Sequence, residues 1–473
     1  MNDTASTAQE KALRINLEAQ RHGTFAEIGA GQEVARWFFH VGKASATVAK
    51  TISAYDMAIS DGIYGPTEHY VSRSRLSAML DHEYSRLLQR LSTTRGEGKA
   101  FFVFADTVAT NSSSLRNAGH GWLGVRFQPQ PGAEPSEIIC HIEMLERRVV
   151  NQQEAVGIAG VNLIYGAFYH LQDLNRMVGR LMDGLSRKRV EVDMIKFSGP
   201  AFPGLDNRLM SLQLVQQGLT DAAMFSADGD VVQPSEVLYH RPVLVERGSF
   251  RPITNVVKDV LDRAIEQLQE ECKLQNPAIL MEMTLNSLTA EGSIDHDDFL
   301  ARVDILGALG YFAMISNYAT FDRLIEYLRN YTQAMLGMAI GIPTLRQILE
   351  DKYYLDRSGG LLEGLGRLFS GAVKLLVYPT IDPGSSDLVT VGNLEVAGPL
   401  KHFYAYLCES GFIEAVQRFD ASYLHLSPGD VLAKLQAGDP AWESLTPPKA
   451  VELIKKNGLF GYARSGPAKD KTH

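Results

Sequence analysis

After residue 254 helical and extended patterns alternate with little else between them. The amphipathic run NVVKDVLDRAIEQLQEEC (255–272) precedes AILMEM (278–283), and HDDFLARVDILGAL (296–309) precedes YFAMIS (311–316). FDRLIEYLRN (321–330) precedes AMLGMAIG (334–341). TLRQILEDKYY (344–354) and GGLLEGLGRLF (359–369) precede KLLVYP (374–379). The helical runs place apolar residues at steps of three and four, and the extended runs are continuous apolar stretches. A switch every ~20–30 residues leaves room for crossover helices but not for tight hairpins, so the pattern predicts an α/β fold with mainly parallel sheet. Residues 400–473 read as helical and end in the polar tail SGPAKDKTH.

The first 98 residues have a different texture. QEVARWFFHVGKASATVAKTISAYDMAISD (32–61) carries an apolar stripe through Val34, Trp37, Phe38, Val41, Val48, Ile52 and Ile59, which predicts a helix, and RSRLSAMLDHEYSRLLQRLS (73–92) repeats the pattern. From Lys99 come short runs rich in Phe, Val and Ile: KAFFVFAD (99–106), GWLGVRF (121–127), EIICHIEML (137–145), VEVDMIKF (190–197) and DAAMFS (221–226). Gly, Asn, Ser and Pro bound them, as strands require. Helices are expected over 152–186 and 206–218, and Pro242 is expected to place the extended segment 236–248 at a sheet edge or a bulge. The texture divides the chain into a helical N-terminal region (1–98), a first α/β part (99–254) and a second α/β part with a helical C-terminal end (255–473).

Composition removes several classes of function. Hydrophobic residues are 45% and charged residues 21% of 473, which is a globular balance. Formal net charge is −9, so the chain lacks the basic surface of a general nucleic-acid binder or of an anionic-membrane binder. The longest apolar stretch, 155–171, falls short of the ~20 residues that span a bilayer and is interrupted by Asn162. The start has no apolar signal core, and Cys140, Cys272 and Cys408 are widely spaced with no CxxC pair. Both features predict a cytoplasmic protein without a disulfide or a zinc ribbon.

Ligands of open parallel sheets bind outside the carboxyl ends of strands, and that rule selects candidates without a motif. After 99–106 stand Asp106, Thr107 and Asn111. At the end of 190–197 stand Lys196, Ser198 and Gly199, followed by Asn207. After 278–283 come Thr284 and Asn286, and after 311–316 Ser316 and Asn317. Asp228, with Asp230 in ADGD, offers carboxylates for Mg²⁺ as well as an ordinary Asp-Gly turn. Asp106, Lys196 and Asp228 carry the groups for proton transfer. Arg357-Ser358-Gly359-Gly360 opens a helix, where free N–H groups and a guanidinium suit phosphate. His120 and His141 are further titratable groups, in a loop and a strand respectively. No residue set has metal-ligand spacing, and the cofactor is left open apart from Mg²⁺.

Three segments, RHGTFAEIGAGQEVARWFFHVGKASATVAKTISAYDM, KFSGPAF and GLTDAAMFSADGDVVQPSEVLYHRPVLVERGSFRP, resemble a bacterial and cyanobacterial family of chains of this length. Members of that family carry names such as nicotinate-nucleotide adenylyltransferase or TonB-dependent receptor. The resemblance implies a cytoplasmic housekeeping protein and supplies no catalytic residues. The first name calls for G-x-F-x-P-x-H-x-G-H, whose imidazoles stabilise transferring phosphate. GTFAEIGAGQ (23–32) matches at Gly23, Phe25 and Gly31 but has Glu27 for Pro, Gly29 for the first His and Gln32 for the second. The second name calls for a series of alternating strands that the chain does not contain. Gly42-Lys43 lacks the spacing and Ser/Thr of a P-loop. Two functions therefore compete: an enzyme acting on a nucleotide or other phosphorylated small metabolite by nucleotidyl or phosphoryl transfer, and a non-catalytic assembly or regulatory protein forming homo-oligomers through its N-terminal helices around Trp37-Phe38-Phe39.

Overall fold

Gly23 and Gly29 explain why the first strand escaped the helical pattern. The computed structural model, which describes residues 6–111, 119–272, 276–289, 292–382, 384 and 386–462, divides into two units, Met1–Ala223 and Met224–His473. In the first, α1 (Ala8–Leu17) leads into β1 (Arg21–Ile28). All of β1 except Arg21 is buried, because the sheet is covered on both faces there, so polar and apolar residues do not alternate along it. Gly23 lies where a Cβ would stand 2.5 Å from the Phe102 ring. Gly29 ends the strand at φ +101, where a Cβ would meet the Val108 carbonyl at 1.8 Å.

The expected helix over 32–61 is three elements. Helix α2 (Glu33–His40) stops where Gly42 and Lys43 take positive φ. Thr47, Val48, Thr51 and Ile52, stiff at χ1, then favour strand β2 (Val48–Ile52), and Asp56 caps α3 (Met57–Tyr64). Helix α4 (Arg73–Arg95) follows as the periodicity predicts, with Ser72 as its cap. Strands β3 (Ala100–Ala109), β4 (Gly119–Phe127), β5 (Ser136–Met144) and β6 (Val190–Ser198) complete a sheet of order β2-β1-β3-β4-β5-β6. The β1 pairings with β2 and β3 are parallel, and the remaining three are antiparallel. The apolar stretch near 155–171 forms α5 (Val149–Tyr169), buried almost continuously from Ala155 to Ala167 against α1, α2 and the sheet. Helices α6 (Leu174–Arg180) and α7 (Asn207–Gln216) close this unit, and α4 packs against β3 and β4. No helix among the described residues is long and apolar enough to cross a membrane.

The chain passes into the second unit within β7 (Ala222–Phe225), which forms a hairpin with β8 (Val231–Val232). After α8 (Pro234–Leu238) the predicted alternation runs as β9 (Val243–Arg247), α9 (Asn255–Cys272), β10 (Ala278–Thr284), α10 (Leu285–Thr289), α11 (His296–Ala308), β11 (Phe312–Ser316), α12 (Phe321–Arg329) and β12 (Leu336–Gly341). It continues as α13 (Ile342–Ile348), a 3-10 turn at Asp351–Tyr354, α14 (Gly360–Leu368) and β13 (Val373–Tyr378). A small hairpin, β14 (Thr380–Ile381) with β15 (Leu388–Val389), precedes α15 (Lys401–Glu409) and β16 (Ile413–Ala415). Helices α16 (Pro428–Ala437), α17 (Ala441–Ser444) and α18 (Pro448–Asn457) end the unit.

The large sheet has the order β16-β13-β12-β9-β10-β11-β7-β8. Numbered by chain position from β9, its core order is 3-2-1-4-5-6, that of a doubly wound α/β sheet. The pairings of β9, β10, β11, β12, β13 and β16 are parallel, which bears out the α/β reading. Pro242 puts its segment neither at an edge nor at a bulge: β9 is central, paired in continuous register to both β10 and β12. The proline stands just before the first strand residue, where its carbonyl accepts from Ala278 N at 2.8 Å, so no ladder donor is lost within the strand. The division at 223/224 lies between the textural boundaries near 98 and 254.

Candidate functional site

In a 3-2-1-4-5-6 sheet the chain leaves the first strand in one direction and the fourth in the other, which opens a crevice at their carboxyl ends. Here those strands are β9 and β12. A cleft of about 250 Å³ lies beside their ends, lined by Arg247, Thr320, Phe321, Thr344, Gln347 and Tyr353 among others. Arg247 is the last residue of β9, Thr320 and Phe321 open α12, and Thr344 and Gln347 come from α13.

Three strand ends converge on one charge network. Arg247 donates from Nε to Glu282 Oε2 at 2.7 Å and from Nη2 to Glu282 Oε1 at 2.9 Å, a two-pronged pair. Ser316 Oγ donates to the same Oε1 at 2.6 Å. Glu282 is register partner of Arg247 on β10 and is fully buried. The guanidinium lies 4.2 Å from the Phe321 ring centroid. Its plane is thus fixed by a carboxylate on one edge and an aromatic face beside it, and Nη1 donates to the Ala319 carbonyl at 3.4 Å. On the far wall Tyr354 donates to the Ile348 carbonyl at 3.0 Å, which anchors the turn that carries the more exposed Tyr353. Burial, with Asp322 adding to it, pushes the Tyr354 hydroxyl up, so it stays a proton donor. A fixed cation, threonine and glutamine side chains and aromatic walls suit a small polar molecule with a planar ring and an anionic group.

The strand-end candidates of the first unit are split between two edges of its sheet. Asp106, Thr107 and Asn111 lie at the carboxyl end of β3, but adjacent strand residues face opposite sides. Asp106 is buried beside Glu27, its register partner on β1. Glu27 caps the first turn of α2, accepting from Val34 N at 2.8 Å and Ala35 N at 3.0 Å. Burial, opposed by those two bonds and reinforced by Glu33, raises Glu27 to about 7; burial and then Glu27 raise Asp106 well above the usual carboxylate range. Thr107 is fully buried and donates to the Tyr70 carbonyl at 2.6 Å. Asn111 N donates to Gln152 Oε1 at 2.9 Å.

Lys196, Ser198, Gly199 and Asn207 sit at the opposite edge, because two antiparallel steps beyond β4 make β6 run against β3. Asn207 clasps the Phe197 backbone, accepting from its N–H at 2.7 Å and donating to its carbonyl at 3.0 Å. Gly199 turns the chain at φ +98 against Ser136. Lys196 is a half-buried strand residue opposite Ile139, and Ser198 is exposed. These residues hold a turn, and no catalytic grouping forms between them and Asp106. His120 and His141 do meet: His120 Nδ1 and His141 Nε2 are 3.1 Å apart, and His141 Nδ1 lies 2.7 Å from Asp193 Oδ1. Burial and then His141 lower His120 to about 4.

In the second unit Asp228 is exposed in the β7–β8 turn, which Ser226 and Asp230 close through their backbones. Among the described residues no three His, Cys, Asp or Glu side chains gather to hold a metal ion. The helix start at 357–360 is filled from within. Arg357 is paired with the fully buried Asp322 and also faces Glu326. Gly359 N and Ser358 Oγ both donate to Glu363, at 2.8 and 3.3 Å, which holds that carboxylate below its usual range. An incoming phosphate would have to displace Glu363, so Arg357, Ser358, Gly359 and Gly360 form a capped helix start and not an anion site.

Of the switch-point network, the strand-end rule found Ser316 and passed over Arg247 and Glu282. Their signal was present: each is a charged residue inside an otherwise apolar strand run, VLVER and LMEM.

No family model and no curated protein matches the chain. Among solved structures, the competence/damage-inducible protein CihA from Agrobacterium tumefaciens is similar at 16% identity over 35% of this chain and 99% of its own, with a TM-score of 0.26. A competence-damaged protein (CinA) superfamily member from Klebsiella pneumoniae is similar at 15% identity over 33% and 96%, TM-score 0.24. Another from Escherichia coli is similar at 11% over 35% and 91%, TM-score 0.25.

Proposed function

We propose that this is a cytoplasmic protein acting on a nucleotide or other phosphorylated small metabolite, which it holds in the cleft beside the ends of β9 and β12. The observation that carries this reading is the coincidence of the strand-order reversal with a cleft bearing an oriented cation, Arg247, and aromatic walls. Arg247 takes the anionic group of the ligand, Thr344 and Gln347 its polar edge, and Phe321 and Tyr353 its planar face. Thermal unfolding of the full chain with a library of nucleotides and sugar phosphates tests the reading. A ligand at about 100 times its Kd adds about 2.7 kcal/mol to the stability of the unit that binds it. The expected result is stabilisation by at least one nucleotide, lost in Arg247→Gln. Absence of any shift across the library removes the reading.

A second reading, assembly through the N-terminal region, is favoured by exposed apolar side chains at Phe39, Tyr55, Met57 and Ile59. Trp37 itself leans on α5 at Gly157 within the same unit. Light scattering tests it: a monomer for the full chain, unaltered by Tyr55→Ser with Ile59→Ser, removes the assembly role.

A further inference from the structure

The first unit carries a second cleft, of about 130 Å³, between α4 and the strands β1 and β2. Lys50, Arg86, Arg90 and Glu83 are its charged lining residues, a net charge of +2 in a chain whose total is −9. Glu83 is already satisfied. It is buried to 1%, pairs with Lys50 and accepts from the Tyr64 hydroxyl at 3.0 Å. The two arginines keep their charge uncompensated. Arg86 donates to the neutral Gln89 amide at 3.3 Å, and Arg90 has no hydrogen-bond or ion-pair partner among the described residues.

They stand one turn apart on α4, where like charges repel by a few tenths of a kcal/mol. Several exposed arginines of this protein are, by contrast, paired with carboxylates: Arg36 with Glu33, Arg323 with Asp356, Arg418 with Glu270. The cleft also borders β2, the edge strand of its sheet, through Ala49 and Lys50. Two guanidinium forks without carboxylate partners beside a small hollow are the chemistry that recognises a tetrahedral oxyanion.

We propose that this cleft binds the phosphate group of a small metabolite, with Arg86 and Arg90 as its charge-bearing ligands and Lys50, already oriented by Glu83, at its rim. The site is separate from the cleft beside β9 and β12, and its occupancy does not depend on Arg247.

Calorimetric titration of the full chain with inorganic phosphate, and in parallel with ribose 5-phosphate, tests the proposal. Saturable binding is expected, with loss of at least about tenfold in affinity in the Arg86→Gln, Arg90→Gln double variant. Both side chains are exposed, so the double variant should keep its fold, which its unfolding curve checks. Arg36→Gln, with the loss of one positive charge on α2, should leave phosphate affinity unchanged. Preference for ribose 5-phosphate over free phosphate identifies a phosphoester as the ligand, and equal affinity identifies the phosphate group alone as the recognised part. Absence of saturable binding, or equal affinity in the double variant, overturns the proposal.

Discussion

Replacing Glu27 with Gln removes one of two carboxyl groups that the first sheet holds side by side. Glu27 and Asp106 are register partners on β1 and β3, each only 1% exposed. The folded state raises Glu27 to about 7 from an ordinary value of 4.5, chiefly by burial. Between those two pH values the unfolded chain has lost this proton and the folded chain still holds it. The native state therefore binds more protons, and stability falls as pH rises through the window. The interval from 4.5 to about 7 corresponds to about 3 kcal/mol, most of it lost between pH 5 and 7. Asp106, raised for the same reason and by Glu27 itself, adds a loss of the same sign. Glutamine keeps the shape but cannot ionise. It also accepts through one oxygen where the carboxylate used two for Val34 N and Ala35 N, which adds a pH-independent cost of about 1 kcal/mol. Urea unfolding at pH 5, 6, 7 and 8, followed by the indole N–H signals of Trp37 and Trp122, should show the stability gap between the wild type and Glu27→Gln moving by about 2 kcal/mol or more in favour of the variant. Trp442 in the second unit serves as the internal reference. Parallel stability curves across that range would refute the reasoning.

Arg247→Gln leaves Glu282 buried without its cation and should destabilise the second unit by about 3–5 kcal/mol in urea unfolding; adding Glu282→Gln should recover part of that, and strictly additive costs would deny the coupling. Gly364→Ala places a Cβ 2.1 Å from the Tyr354 ring. It should cost about 1–3 kcal/mol and weaken ligand-induced stabilisation, because Tyr354 lines the cleft. Asn207→Ala removes both bonds to the Phe197 backbone and should cost about 1–3 kcal/mol, leaving the affinity for phosphate and nucleotides unchanged; a selective loss of ligand binding with intact stability would restore Asn207 as a binding residue.

How far each region was legible depends on whether its determinants are local. The helices and strands of residues 255–379 announce themselves because each crossover helix shows one face to solvent and each parallel strand is apolar throughout. β1 is equally apolar in its surroundings, yet it holds Thr24 and Glu27 in buried positions, so its polar residues read as loop or helix surface. Its strand character comes from β2 and β3 on either side, and no window of eight residues contains that information. The site failed to emerge for a related reason. The carboxyl-end rule applies to strands that run the same way, and applied to β6 it selected Lys196, Ser198 and Asn207 at the edge opposite Asp106. In the parallel unit the same rule reached Ser316, one third of the network that orients Arg247. Arg247 and Glu282 sit 35 positions apart in the chain and meet only because β9 and β10 are neighbours. A charge inside an apolar strand run must find an opposite charge at its own level on an adjacent strand, or it would not be tolerated there. That constraint needs only a strand order to be applied. With 3-2-1-4-5-6 in hand, VLVER and LMEM select each other, and the cleft beside them follows from where β12 turns away.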